Sequence, residues 1–533
     1  MKKIVAMLLI SIMCFSFSAC HSSKPSIQAI KYNLDAEPKT LDPQVANDFS
    51  SNTVILNIFE GLTRIGENNE VLSGVASSWT NNQDFTSFTF NLQQGLTWAD
   101  KNKTPLTAND FEFAIKRVLD PKTNSPLVHT LYCIKNAKNI HLNEKSKLPI
   151  GVSVIDKYTI KFDLESPYEN FPKLLATPPT MPCNKDFFES CAGQYGLSHT
   201  SVICNGPFKI KNKYGWEHFK TLTLVKNDIY SGSNATCAEG INFTINKSIQ
   251  NVASEIKNGS LTAAPLPIDE TDKAKDKNLN LLPFNNVLWA LTFNCENEVF
   301  SNVNVRKGIL TSINREFALS NLPPNCQIEN DIISNKMQVN DILFRDVAQS
   351  NDCLKEEANS KSYLDKGLSE LKIKALPKVT ITCLDSPEIK KMVSNILENL
   401  NEKLDFHFNM NPVSFNELTN HVNNADFQIA LTPIYSDNDS ALSFLEKFTS
   451  DCKSNTSCYK SQAYDKLLSL AKTTSDKNEC IKLLTEAEKT LNSAAVVYPM
   501  FSQMQYFAIS PKFSGIVVHP YKEGIDFSHI KKT

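Results

Sequence analysis

Residues 378–431 switch between two apolar periodicities, and this limits the possible folds more than any other feature of the chain. Val379, Ile381 and Cys383 fall at every second position, the spacing of a strand. Ser386 then Pro387 marks a helix start, because serine caps the first turn and the fixed φ of proline suits its first position. Ile389, Met392, Val393, Ile396, Leu397, Leu400 and Leu404 recur at three and four, one apolar helix face. Phe406 and Phe408 predict a second strand, Ser414 with Glu417 a capping box, and Phe427, Ile429 and Leu431 a third strand. This alternation predicts an α/β fold with a mostly parallel, doubly wound sheet. Such sheets bind ligands beyond the carboxyl ends of their strands. The segment after Leu431, from Thr432 to Ser440, carries two carboxylates there, Asp437 and Asp439.

The N-terminal third reads differently. Phe85 to Phe90 alternates, Gly95 marks a turn before Leu96 and Trp98, and Thr107 to Leu119 reads as a helix that Thr107 and Asp110 can start. This is a second, mixed α/β unit. The chain has 533 residues, past the ~250–300 at which one hydrophobic core stops growing, so at least two lobes are expected. Lys and Arg number 55 against 57 Asp and Glu, and that balance argues against a nucleic-acid partner.

Lys2 and Lys3 precede an apolar run from Ile4 to Phe17. The run falls short of the ~20 residues a spanning helix needs and has the layout of a secretory signal. Phe17-Ser18-Ala19-Cys20 resembles a bacterial lipobox, with Phe17 in place of the usual Leu. That resemblance implies a lipid on Cys20, a signal peptide over 1–19, and an anchor and tether over 20–27. Of the 14 cysteines, Cys14 and Cys20 belong to this leader. An exported chain can form disulfides, and Cys452 with Cys458, separated by polar residues, is the best pair; most others read as small buried thiols. No CxxC or histidine cluster suggests a metal, no glycine-rich loop a phosphate cradle, and no GxSxG or HExxH a hydrolase. No cofactor, metal or catalytic residue is therefore expected.

Several motifs recur in one order along nearly the whole chain. Glu37 to Pro43 ends in Leu41-Asp42-Pro43, followed by Ile58 to Leu62, Val75 to Trp79, Phe88 to Trp98, Leu106 to Phe111 and Arg117. Asn205 to Phe208, Val303 to Lys307, Asn314 to Glu316, and Phe513 to Phe527 complete the series. In this the chain resembles the dipeptide- and oligopeptide-binding lipoproteins of bacterial ABC importers. The resemblance implies a periplasmic-binding-protein-like two-lobe fold with two crossover strands and an extra inserted α/β domain. Lobe I would comprise 28–48, 169–272 and 498–533, the inserted domain 49–168, and lobe III 273–497.

The same resemblance implies a function. A monomeric receptor, anchored by lipid on the extracytoplasmic or periplasmic side of a bacterial membrane, would capture short peptides and deliver them to an ABC permease and its ATPase subunits. Aligning on Phe444-Leu445 makes Asp437 the carboxylate for the peptide ammonium, with Asn438 beside it. Pro433-Ile434 stands where the family has Gly-Trp, which removes an aromatic wall. The other reading of Asp437 is a turn or cap ahead of the next helix. Asn205 and Phe208 on one supposed crossover, and Asn286 and Trp289 near the other, are further ligand candidates, each also readable as a turn or core residue. Lys390 and Lys391 read as the solvated face of their helix, and Arg306 and Arg315 as structural. Murein peptides, haem or a metal chelate are alternative cargoes; a surface adhesin, a signalling receptor or an exported hydrolase are alternatives of another class.

Overall fold

The computed structural model describes residues 27–142, 148–212, 214–249, 251–267, 270–323, 325–339, 342–350, 360–436, 440–452, 454–474, 476–519 and 524–533. The signal segment and Cys20 lie outside them.

The first lobe starts with β1 (Ile30–Leu34) and α1 (Phe49–Ile58), which is capped by Asp48 accepting from Ser51 N. Next come β2 (Ala76–Asn81), β3 (Ser87–Leu92), α2 (Ala108–Leu119), β4 (Val152–Asp156) and β5 (Thr159–Asp163). The four strands make an antiparallel sheet in the order β2-β3-β5-β4. Phe88, Phe90 and Leu92 are its buried face, as their alternation predicts. The capping box at α2 forms: Asp110 accepts from Thr107 N at 2.7 Å and from Trp98 Nε1 at 3.3 Å. Burial pushes the Asp110 carboxyl up to about 6, against the pull of these hydrogen bonds.

A second sheet, β1-β8-β7-β6, adds β6 (Phe208–Ile210), β7 (Thr221–Lys226) and β8 (Gly240–Ile245). Only β1 and β8 run parallel. One continuous apolar core, with Tyr32, Ile241 and Phe243 at one end and Phe90 and Phe162 at the other, serves both sheets.

Ile516, Ile525, Phe527 and Ile530 of the C-terminal segment also pack in the first lobe's core, as does Ala263. The elements of the sheet that runs from this lobe into the other follow. In order they are β9 (Ala263–Leu266), β10 (Asn280–Phe293), α3 (Val303–Leu310), β11 (Cys326–Ile328), β12 (Val379–Leu384) and α4 (Pro387–Leu404). They continue with β13 (Phe408–Val413), α5 (Phe415–Asn423), β14 (Ile429–Tyr435), α6 (Ala441–Glu446), α7 (Gln462–Thr473), α8 (Lys477–Ser493) and β15 (Val497–Ile509). The sheet order is β9-β15-β10-β14-β12-β13, with β11 added to β15. The strand-helix alternation over 378–431 is present, and β12 runs parallel to both β13 and β14. The α4 side chains pack with Val379, Ile381 and Cys383 on one face, and α5 packs against Ala430 on the other. The sheet is doubly wound but mixed, because β14, β10, β15 and β9 pair antiparallel. That corrects the mostly parallel expectation: the return of β15 from far along the chain sets its direction, and no local pattern encodes it.

Strands β10 and β15, of 14 and 13 residues, are the connections between lobes. At one end Phe507 and Ile509 belong to the first lobe's core; at the other Trp289, Leu291, Tyr498 and Phe501 belong to the second. Their register slips twice, between Phe284 and Val287 and between Trp289 and Ala290, the latter opposite Pro499. Proline has no N–H to give a ladder, and each slip kinks the strand pair. The Asn205–Phe208 crossover expectation is therefore corrected: β6 is a strand of the first lobe's sheet.

Candidate functional site

The end of β14 meets the middles of β10 and β15, the two long strands that join the lobes. Tyr435, the last residue of β14, pairs with Val287, and Val287 pairs on its other side with Gln503. Asn286 lies in the bulge just before Val287. Beyond Tyr435 the chain passes a buried Ser436 and re-enters at Ser440, which bridges to Gln338. Asp437, Asn438 and Asp439 lie outside the described residues. Both flanks of this segment are fixed. Ser440 is the N-cap of α6, accepting from Ser443 N, so the cap is supplied without Asp437. Phe444 and Leu445 are the buried face of that helix.

Three of the predicted ligand contacts are interior instead. Asn205 is 3% exposed and brackets one peptide unit: its Oδ1 accepts from Glu60 N at 3.1 Å and its Nδ2 donates to Glu60 O at 2.9 Å. The neighbouring Gly206 donates to Ile58 O, and a Cβ there would stand 2.9 Å from that carbonyl. Phe208 is fully buried in the first lobe's core. Trp289 is 6% exposed, stacks on Phe501 at 5.7 Å and donates through Nε1 to Gln503 Oε1 at 3.1 Å. A side chain so enclosed walls no open cleft. Asn205→Ala should therefore act on stability: two buried backbone groups lose their partners, a cost of about 2–3 kcal/mol. Urea denaturation of the variant would show it, with ligand affinity of the folded protein unchanged.

Gln503 escaped the sequence reading. Its side chain is only partly buried, beside Val287 and at the level of Tyr435, with its amide oxygen held by Trp289. The available signal was two polar residues, Gln503 and Gln505, inside a long apolar strand.

In the first lobe a buried charge cluster joins the turn after α1 to the C-terminal segment. Arg64 Nη2 contacts Asp526 Oδ2 at 2.7 Å and Ser528 Oγ at 2.7 Å. Glu60 accepts from Tyr230 Oη at 2.9 Å and from Asn234 Nδ2. Burial raises the Glu60 carboxyl, whereas at Asp526 burial, the largest single influence, is outweighed by Arg64, His529 and the Ser528 hydrogen bonds together, and the carboxyl sits below its ordinary range. Burial, then the Arg64 charge, pushes His529 down to about 4. A histidine with a depressed folded pKa contributes stability above its unfolded pKa and loses it as pH falls toward the folded one. Between pH 6.5 and about 4 the wild type should thus lose stability relative to His529→Gln, which lacks the titration. Urea midpoints of both proteins at pH 7 and pH 5 test this; parallel shifts would refute it.

At the rim the lobes touch. Lys477 Nζ, at the start of α8, lies 3.1 Å from Glu169 Oε2, which follows β5. Lys472 of α7 acts electrostatically on Cys133, whose thiol burial pushes up to about 12. Lys390 pairs with Asp385 at 2.7 Å in a solvated setting, as expected of a helix face. Arg306 is structural, donating to the carbonyls of Ala494, Phe300 and Ser301.

Cys452 and Cys458, like Cys295, are free thiols in this structure, so the expected disulfide between Cys452 and Cys458 is not formed in it. The turn between them is held without one: Asn455 Nδ2 donates to the carbonyls of Phe448, Thr449 and Tyr459, and Ser457 Oγ donates to Asn455 Oδ1. Among the described residues no group of three or more His, Cys, Asp or Glu could hold a metal, and no helix is long and apolar enough to cross a membrane.

Two α/β lobes joined by a pair of continuous strands are the architecture of a two-lobe solute-binding protein. A sequence profile of the bacterial extracellular solute-binding proteins, family 5 (middle region), matches residues 70–456, and the chain belongs to that family. It is 26% identical over 503 residues to the dipeptide-binding protein DppE of Bacillus subtilis (strain 168), covering 93% of this chain and 91% of that one. It is 27% identical over 514 residues to the oligopeptide-binding protein OppA of the same strain, covering 92% and 90%. Among solved structures, the pheromone receptor PrgZ, described with its mode of peptide binding, superposes with a TM-score of 0.75 at 25% identity, over 95% of this chain and 99% of that one.

Proposed function

We propose that this chain captures short peptides on the extracytoplasmic side of a bacterial membrane, held there by a lipid on Cys20, and presents them to an ABC permease. The observation that carries the reading is the likeness over more than nine-tenths of the chain to proteins named for dipeptide and oligopeptide binding. The geometry is consistent with it. Tyr435, two residues before Asp437 in the sequence, pairs with Val287 beside the bulge in β10, on a strand that joins the lobes. Asn438 and Asn286 are further candidate ligand residues in this proposal. An extended peptide needs an anion for its amine and strand-like partners for its backbone, and a strand end beside a bulged ladder offers both. No bond is made or broken in this role; ligand shifts the lobes toward the closed arrangement because that arrangement binds it more tightly. The division into lobe I, an inserted domain over 49–168 and lobe III is part of the same proposal.

Isothermal titration of the folded protein with di- to pentapeptides tests the reading. Heat of binding with at least one length is expected, and no heat with any of them would overturn it. Competition with a murein tripeptide assigns the cargo: displacement of ordinary tripeptides only at large excess supports general peptide uptake.

A further inference from the structure

Cys295 and Cys458 come together at the end of β10 farthest from the hinge. The Cys295 N–H donates to the Ser457 carbonyl at 2.8 Å, immediately before Cys458. That bond holds the two Cα atoms roughly 4–7 Å apart, the span that protein disulfides bridge. Cys458 lies in the left-handed region at φ 53°. Both thiols are partly exposed, so an oxidant can reach them, whereas Cys183, Cys204, Cys383 and Cys480 are buried. Burial raises the Cys295 thiol, and a charge on Cys458 raises it further, which places the two sulfurs in the same local field. Cys452 stands on the other arm of the turn, its N–H donating to Thr449 O.

We propose that Cys458 forms its disulfide with Cys295 and not with Cys452. The two thiols lose two protons and two electrons and form one S–S bond. A small-molecule or protein disulfide takes up those electrons and protons and becomes two thiols. The bond ties the exit of β10 to the loop between α6 and α7, closing a loop of roughly 160 residues, which constrains the unfolded chain strongly. It lies within the second lobe, so it stiffens the lobe and leaves the hinge free.

The proposal rests on the extracytoplasmic reading for its oxidising compartment, but its test does not. The purified chain from residue 20 onward, with Cys20 replaced by serine, is incubated with glutathione disulfide. Remaining thiols are then blocked, and unreduced digests are analysed by mass spectrometry. The expected result is a linked peptide pair joining Cys295 to Cys458, with Cys452 carrying the blocking group. Cys452→Ser should leave that pair intact, and Cys458→Ser should release Cys295 to the blocking reagent. A Cys452–Cys458 linked peptide, or full blocking of Cys295 in the oxidised parent protein, would overturn it. Peptide titrations on the same sample report separately on the ligand, so the two readings can fail independently.

Discussion

Asp437→Asn is expected to weaken binding of a free-amine peptide by about 10²–10³-fold and to leave an N-acetylated peptide nearly unaffected. The substitution keeps size and an accepting oxygen and removes the charge. In an enclosed cleft the ligand ammonium would then be desolvated with nothing opposite it, a cost of about 3–5 kcal/mol, and every ~1.4 kcal/mol is tenfold in Kd. An acetylated peptide has no such cation and loses little. Stability should hold, because the cap of α6 is Ser440, whose Oγ accepts from Ser443 N at 3.3 Å. Asp439→Asn is the control in the same segment and should change Kd only a few-fold. Calorimetric titration of both variants with matched free and acetylated peptides decides the matter; equal losses for the two ligands on Asp437→Asn would remove the ammonium role.

The parts of this fold legible in the sequence are those specified by neighbours a few residues apart. Ser386 caps α4 by accepting from Ile389 N at 3.3 Å, and Ser414 with Glu417 forms its capping box, as the residue types require. Six of the seven predicted apolar positions of α4, from Ile389 through Leu404, are buried; Leu397 is half-buried, and Asn395 and Asn399 are buried beside them. What stayed hidden is what distant segments decide. Trp289 reads equally as a ligand wall or as core until Phe501 and Gln503 arrive from the other crossover, more than two hundred residues later. Asn205 reads as a polar turn until the Glu60 backbone fills both ends of its amide. The direction of β15 and the neighbour of Cys458 have the same origin. In the candidate site, the strand end and the following helix were readable, because Phe444 and Leu445 are a local apolar pair. The Trp289–Gln503 contact was not, because its partners lie on different strands more than two hundred residues apart.

The motif residues Asp42 and Arg117 meet in a buried ion pair, and breaking it should be the most damaging single change to stability. Arg117, on α2, places Nη2 2.7 Å from Asp42 Oδ2 and Nη1 3.2 Å from Oδ1. Nη1 also donates to Gln44 Oε1 at 2.7 Å, and the guanidinium lies 3.8 Å over the Phe188 ring. Side-chain exposures are 8% and 7%, so neither charge has water to fall back on. The contact pins the antiparallel unit of β2 to β5 onto the segment between β1 and α1. Arg117→Met keeps most of the apolar stem and leaves a buried carboxylate without its counter-ion, at a cost of about 3–5 kcal/mol. Asp42→Asn strands the guanidinium but keeps an acceptor, including the one that takes the Gln44 N–H at 3.1 Å, so it should cost less, about 2–3 kcal/mol. The double variant removes both charges together, and its loss should fall short of the sum of the singles by about 2 kcal/mol, within the range measured for contacting pairs. Urea unfolding of the four proteins gives that coupling directly. Strict additivity would mean that the pair is held by the surrounding packing and that the motif is retained for Gln44 and Phe188, not for charge.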